Sequence, residues 1–140
     1  LAYNESEFSS LVIDSALDPT VQVDLEGNRV PVTSEWTFNG AGEYRKDFGN
    51  NLQGYVRGDV SYRSSIFESI ENLDLFSIDG YWLANARLGV AAPDGNWDVS
   101  LFARNLTDED YLVFNNTLGF GITQIAGSPR EYGLELRKTF

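Results

Sequence analysis

The 140-residue chain contains no cysteine and no histidine. Without thiols there is no disulfide and no thiolate nucleophile, and a zinc site of the usual His/Cys kind cannot be assembled from this chain. Without imidazole, the usual general base of a serine hydrolase is missing as well. Long apolar runs are also absent. None approaches the roughly 18 residues a membrane helix needs, which excludes helical spanning. Basic residues are scarce: Lys and Arg number 10 against 21 Asp and Glu, for a net charge of −11. That balance argues against a nucleic-acid partner, whose phosphates require cationic neutralisation. The acidity is spread out, with Asp14, Asp18, Asp24 and Glu26 in one stretch and Glu68, Glu71, Asp74 and Asp79 in another. A solvated surface accounts for it more simply than a cation site. There is no initiator Met, and the chain opens inside an apparent strand, so the expectation is a piece of a longer protein.

What is present is alternation. In residues 130–140, Tyr132, Leu134, Leu136 and Phe140 share one parity, with Lys138 as the polar exception. Gly133, Glu135, Arg137 and Thr139 share the other. The same two-residue period recurs in residues 36–44, with Trp36, Phe38 and Tyr44 against Thr37, Asn39 and Glu43. It recurs in residues 52–62, with Leu52, Val56, Val60 and Tyr62 against Gln53, Tyr55, Arg57 and Asp59. Residues 82–90 set Trp82, Leu88 and Val90 against Asn85 and Arg87, and residues 97–103 set Trp97, Val99 and Leu101 against Asp98 and Ser100. A partial strand is expected over roughly residues 1–8. Each full run is close to the roughly 9–11 residues a tilted strand needs to cross hydrocarbon. A mean hydropathy of −0.26 does not oppose this, because half of each barrel strand faces a polar lumen.

The connections alternate in length. Long stretches are expected over residues 9–33, 64–80 and 106–129, and short links at 46–50 and at Pro93-Asp94-Gly95-Asn96, which has turn chemistry. Outer-membrane barrels have short periplasmic turns and long extracellular loops. The short links and Phe140 fall on one side, which places the C-terminus in the periplasm. Aromatic girdles belong at both interfaces. Trp36, Tyr62, Trp82 and Tyr132 lie toward the long loops, and Tyr44, Trp97 and Phe140 toward the short turns. The fold expected is therefore all-β: an antiparallel transmembrane β-barrel of which this chain supplies part. An open sheet in lipid would leave edges of unsatisfied backbone groups, so closure would have to come from further strands.

Two segments carry a family resemblance. Trp97-Asp-Val-Ser-Leu-Phe-Ala-Arg-Asn-Leu-Thr-Asp-Glu-Asp-Tyr111 resembles the penultimate-strand signature of TonB-dependent outer-membrane receptors, and Gly127-Ser-Pro-Arg-Glu-Tyr-Gly-Leu-Glu-Leu-Arg-Lys-Thr-Phe140 resembles their closing strand. Residues 27–38 and 62–65 add to the likeness. The resemblance implies the last strands, about six, of a barrel of about 22. It implies active uptake of a bulky, scarce nutrient: a ferric siderophore, haem, cobalamin or an oligosaccharide. The implied partners are outer-membrane lipid, a plug domain and N-terminal strands, the TonB complex and the barrel assembly machinery. It also implies that Tyr132, Leu134, Leu136 and Phe140 form an assembly signal, from which Lys138 departs. A diffusion porin or a soluble β-sandwich or lipocalin-like binding module stays open as an alternative.

On this reading Glu43, Arg57, Asp59, Arg87, Arg104, Glu135 and Arg137 face the lumen. They either contact a plug, Arg57 and Arg104 first, or pair between neighbouring strands. Phe67, Phe76, Tyr111, Phe114 and Phe120 lie in long loops. They either anchor a ligand or hold the loops to one another. No cofactor and no enzymatic activity are expected, since adjacent carboxylates such as Glu109 and Asp110 lack acid–base geometry. The Asn-x-Thr matches at Asn105 and Asn115 are taken as accidental in this context.

Overall fold

A computed structural model describes residues 1–15, 17–117 and 121–139. Its strands are β1 (Ala2–Tyr3), β2 (Val12–Asp14), β3 (Gln22–Asp24), β4 (Trp36–Gly49), β5 (Leu52–Arg63), β6 (Ile66–Phe67), β7 (Ser77–Ile78), β8 (Tyr81–Ala91), β9 (Trp97–Arg104), β10 (Leu112–Thr117), β11 (Ile122–Ala126) and β12 (Glu131–Lys138). A single 3₁₀ turn occupies Asp74–Phe76, and no described helix is long and apolar enough to cross a membrane. The principal sheet has six strands in the order β1-β4-β5-β8-β9-β12. It is an open antiparallel sheet with β1 and β12 as its edges, and it does not close into a barrel.

The long alternating runs become the long strands, with their ends adjusted by local chemistry. β4 runs through Lys46, Asp47 and Phe48 to Gly49, so the expected five-residue link shrinks to Asn50 and Asn51. Gly49, Asn50 and Asn51 all have positive φ, 76°, 52° and 59°, a left-handed backbone that glycine and asparagine tolerate better than other residues. Between β8 and β9, Gly95 N–H donates to the Ala92 carbonyl with Gly95 at φ 76°, a turn that glycine makes without steric cost. The expected first strand over residues 1–8 is corrected to Ala2–Tyr3, which pairs with Trp36 and Thr37 of β4.

The described chain divides into two compact units. One comprises residues 1–38, 62–81 and 110–127. These stretches are not the plain polar loops their composition suggests, because they contain the two-stranded pairs β2–β3, β6–β7 and β10–β11. Their small apolar centre is Leu25, Ile66, Phe76 and Ile78, each at most 4% exposed. Asparagines supply much of the rest. Asn72 accepts from the Arg29 backbone N–H at 2.6 Å and donates to the Arg29 carbonyl at 2.9 Å. Buried Asn115 donates to the carbonyls of Leu75 and Ser77. Satisfying carbonyls that have no strand partner is how irregular backbone tolerates burial.

The other unit comprises residues 39–61, 82–109 and 128–140 and contains most of the principal sheet. Its registers place Leu88 opposite Leu101 and Leu101 opposite Leu134, a row of leucines across three neighbouring strands.

Candidate functional site

The sheet-bearing unit has two chemically opposite faces. On one lie Tyr44, Phe48, Val56, Trp82, Leu88, Leu101, Tyr132, Leu134 and Leu136, all exposed, with the three leucines of the row near 60%. On the other, polar and charged residues line a groove of about 430 Å³. A sheet folding in water arranges these oppositely, with the apolar face covered.

The polar groove gathers all seven residues expected to face a lumen: Glu43, Arg57, Asp59, Arg87, Arg104, Glu135 and Arg137. Its central element crosses strands. Arg87 of β8 donates to Ser100 Oγ of β9 at 3.2 Å and to Glu135 Oε2 of β12 at 3.0 Å. Ser100 is 1% exposed. Tyr55 Oη donates to the buried Asp98 carboxylate at 3.1 Å, and Asn85 donates to Asp59 at 2.7 Å. Arg45 pairs with Glu43 and donates to Gln53 at 3.0 Å. Arg104 sits 3.6 Å from Glu131 and stacks over Phe102. Most of these charges are therefore paired within the face, as neighbouring strands allow. The Arg87 and Glu135 side chains are 31% and 45% exposed, so their pair contributes about 0–1 kcal/mol. Arg57 and Arg137 line the groove without an ion pair to any other described residue.

Close approach of aromatic rings to glycines shapes the same unit. A Cβ on Gly89 would fall 2.6–2.7 Å from the Tyr55 ring and hydroxyl. Gly133, directly opposite Phe102, lies under that ring. Gly54 lies under Phe48. Such rings cover backbone that would otherwise be bare.

Sequence reasoning missed the corner after β9. Asn105, at φ 47° and 5% exposed, accepts from Glu109 N–H at 2.8 Å. It donates to the carbonyls of Glu109 and Ser128 at 2.9 and 3.1 Å. Asp108, at φ 59°, takes the backbone N–H of Arg130 and its guanidinium, each at 3.2 Å. The Arg-Asn-Leu-Thr-Asp and Pro-Arg segments are thus two halves of one corner. The available signal was Asn followed by Asp three residues on, both tolerant of left-handed backbone. The buried Asn105 side chain is engaged through both its oxygen and its nitrogen here.

The remaining expected site residues are placed as follows. Trp36 is exposed and stacks on Tyr3 at 4.6 Å, while Tyr62 and Trp97 are partly covered. Tyr111 stacks on Tyr81 at 4.4 Å, and Arg63 lies over Tyr81 at 5.1 Å. Phe67 lies under Arg29 at 5.5 Å, and Phe114 is partly covered. Phe76 is corrected: at 4% exposure it fills the interior of its own unit and cannot meet a ligand arriving from solvent. Phe120 and Phe140 lie outside the described residues. Among the described residues no three carboxylates gather closely enough to hold a metal ion. No protein-family model matches the chain, and no solved structure matches it.

Proposed function

We propose that this sheet is part of the wall of a transmembrane β-barrel in the outer membrane, the C-terminal portion of a TonB-dependent transporter. The observation that carries the membrane part is the inverted sheet. The Leu88–Leu101–Leu134 row is exposed while Ser100 and Asp98 on the opposite face are buried. Such a sheet suits hydrocarbon on one side and a wet lumen on the other. Short connections alternating with long ones along the chain suit the periplasmic turns and extracellular loops of an outer-membrane strand set. The open edges at β1 and β12 require partner strands to satisfy their backbone in lipid. The transporter assignment rests on the resemblance of residues 97–111 and 127–140 to the receptor family, and the corner joining Asp108 to Arg130 gives those residues a structural reason to occur together. The cargo would be a ferric siderophore, haem, cobalamin or an oligosaccharide, driven by the inner-membrane proton gradient.

The absence of cysteine from these 140 residues makes a direct test available, with any cysteine elsewhere in the protein replaced by serine. Single cysteines at Leu88, Leu101 and Leu134, and at Asp59, Arg57 and Glu135, are introduced into the protein in its own membrane. The first set should react only with lipid-soluble maleimides and the second with water-soluble ones. Equal reactivity of both sets with the water-soluble reagent would refute the membrane reading. Uptake of a cargo that persists after the proton gradient is collapsed would favour a diffusion porin over a TonB-driven transporter.

A further inference from the structure

The chain has only two lysines, Lys46 and Lys138. Both fall on the apolar parity of their strands, and both lie at the short-hairpin end. Lys46 is in β4 just before the Asn50–Asn51 turn, and Lys138 closes β12 opposite Trp97. The strand acids take the other parity: Glu43, Asp47, Asp59, Asp98, Glu131 and Glu135. In a chain of net charge −11, the apolar face thus carries two positive charges and, among its described strand residues, no negative one.

That face also holds a groove of about 490 Å³. Tyr44 and Phe48 border it on one side, and Val90 and Leu101 are among the residues across from them. Phe48 lies over Gly54, which supplies no side chain of its own, and both line the groove. Lys46 stands at the rim with its ammonium 5.7 Å from the Phe48 ring centroid. An apolar channel with a cation at the end nearest the membrane surface has the chemistry to take an acyl chain below and a phosphate above.

We infer that this groove is a site for an anionic phospholipid of the leaflet at the short-hairpin end, its acyl chain along Phe48 and Leu101 and its phosphate at Lys46. The inference rests on the membrane reading above. A cationic side chain beside an anionic membrane surface favours binding by about fivefold. Lysine suits the role because its long stem lies along apolar surface while the ammonium reaches the headgroup. Charge complementarity favours a lipid over a second protein, since the face offers a partner no acceptor carboxylate.

The test uses the full-length protein purified in detergent, given equal amounts of phosphatidylglycerol and phosphatidylcholine, with bound lipid weighed by native mass spectrometry. Phosphatidylglycerol should be retained in excess over phosphatidylcholine, since only its headgroup leaves a net negative charge for Lys46 to meet. Lys46→Gln should remove that preference and Lys46→Arg should keep it. Val90→Trp, which fills the groove, should lower retention of both lipids. Equal retention by the unaltered protein, a preference unchanged by Lys46→Gln, or a polypeptide in place of lipid would overturn the inference. Failure of the membrane reading is a different result: the protein would stay in the aqueous phase on detergent phase separation, before any lipid is compared.

Discussion

Replacing Leu101 with arginine separates a lipid-facing sheet from a water-facing one. Leu101 sits mid-strand in β9 and is 59% exposed, flanked in register by Leu88 and Leu134. If that exposure is to water, the substitution touches no buried group and should change stability by no more than about 0.5 kcal/mol. If it is to hydrocarbon, the charge is held near the midplane. Arg104 ends the strand three residues away, about 10 Å at roughly 3.4 Å per residue, so the guanidinium has little wet surface within reach. The cost is then about 2–4 kcal/mol, roughly a 30- to 700-fold loss in the folded-to-unfolded ratio. Leu134→Arg should behave alike. Leu136→Arg, two residues from the strand end at Lys138, should cost about 0–1 kcal/mol. The assay is urea unfolding in lipid bilayers followed by tryptophan fluorescence, with the heat-modifiable band as a count of assembled protein. A flat profile, with Leu101→Arg no worse than Leu136→Arg, would refute the assignment of this face to lipid.

Asn105→Ala should lower stability by about 2–4 kcal/mol, because it strands the Glu109 N–H and the Ser128 carbonyl and leaves a Cβ residue at positive φ. Thermal melts of Asn105→Ala and Asn105→Gly should differ, the glycine recovering only the backbone part. Gly89→Ala should displace the Tyr55 ring and break its bond to Asp98, read as a loss of about 1–3 kcal/mol that largely vanishes when the same substitution is made in a Tyr55→Ala background. Phe140→Ala in the full-length protein should reduce the assembled fraction; unchanged outer-membrane levels would remove the assembly-signal reading. Asp18 accepts hydrogen bonds from the Thr20 N–H and hydroxyl, and these hold its carboxyl below the ordinary aspartate range. A depressed folded pKa stabilises the turn at neutral pH, and the gain disappears as pH falls through the folded value. Protection of the Thr20 amide, taken relative to its intrinsic exchange rate at each pH, should therefore fall on acidification, and should do so no longer in Asp18→Asn.

The alternation exposed most of the sheet because side-chain direction in a strand is fixed by parity alone. Trp82, Leu88 and Val90 share a face whatever their neighbours are, and so do Arg57 and Asp59. Strand ends were less legible. Lys46 and Asp47 look like turn residues, and only the positive φ of Gly49, Asn50 and Asn51 shows where the hairpin closes. The segments over residues 9–33, 64–80 and 106–129 misled for another reason. Their order comes from few apolar side chains and from asparagine bonds between distant residues, such as Asn72 with Arg29. Nothing local marks Phe76 as buried, since it sits in a 3₁₀ turn with no alternating pattern around it. The pairing of Arg87 with Glu135 over Ser100 was legible only as a shared parity; which partners meet depends on strand order and register.

Parity leaves one ambiguity unresolved. Sliding one strand past its neighbour by a single residue would turn its leucines to the wrong side, and that error is heavily penalised. Sliding by two residues would not, because every apolar side chain would still face outward and every charged one inward. The rings seated over Gly54, Gly89 and Gly133 break that degeneracy. After a two-residue slip Phe102 would face Glu131 or Glu135, which carry full side chains, instead of Gly133. The ring would lose its seat and the glycine its cover. A few glycine–aromatic keys thus hold information about alignment that hydrophobic patterning cannot encode, and exchanging a key's two members should preserve the alignment better than losing either one.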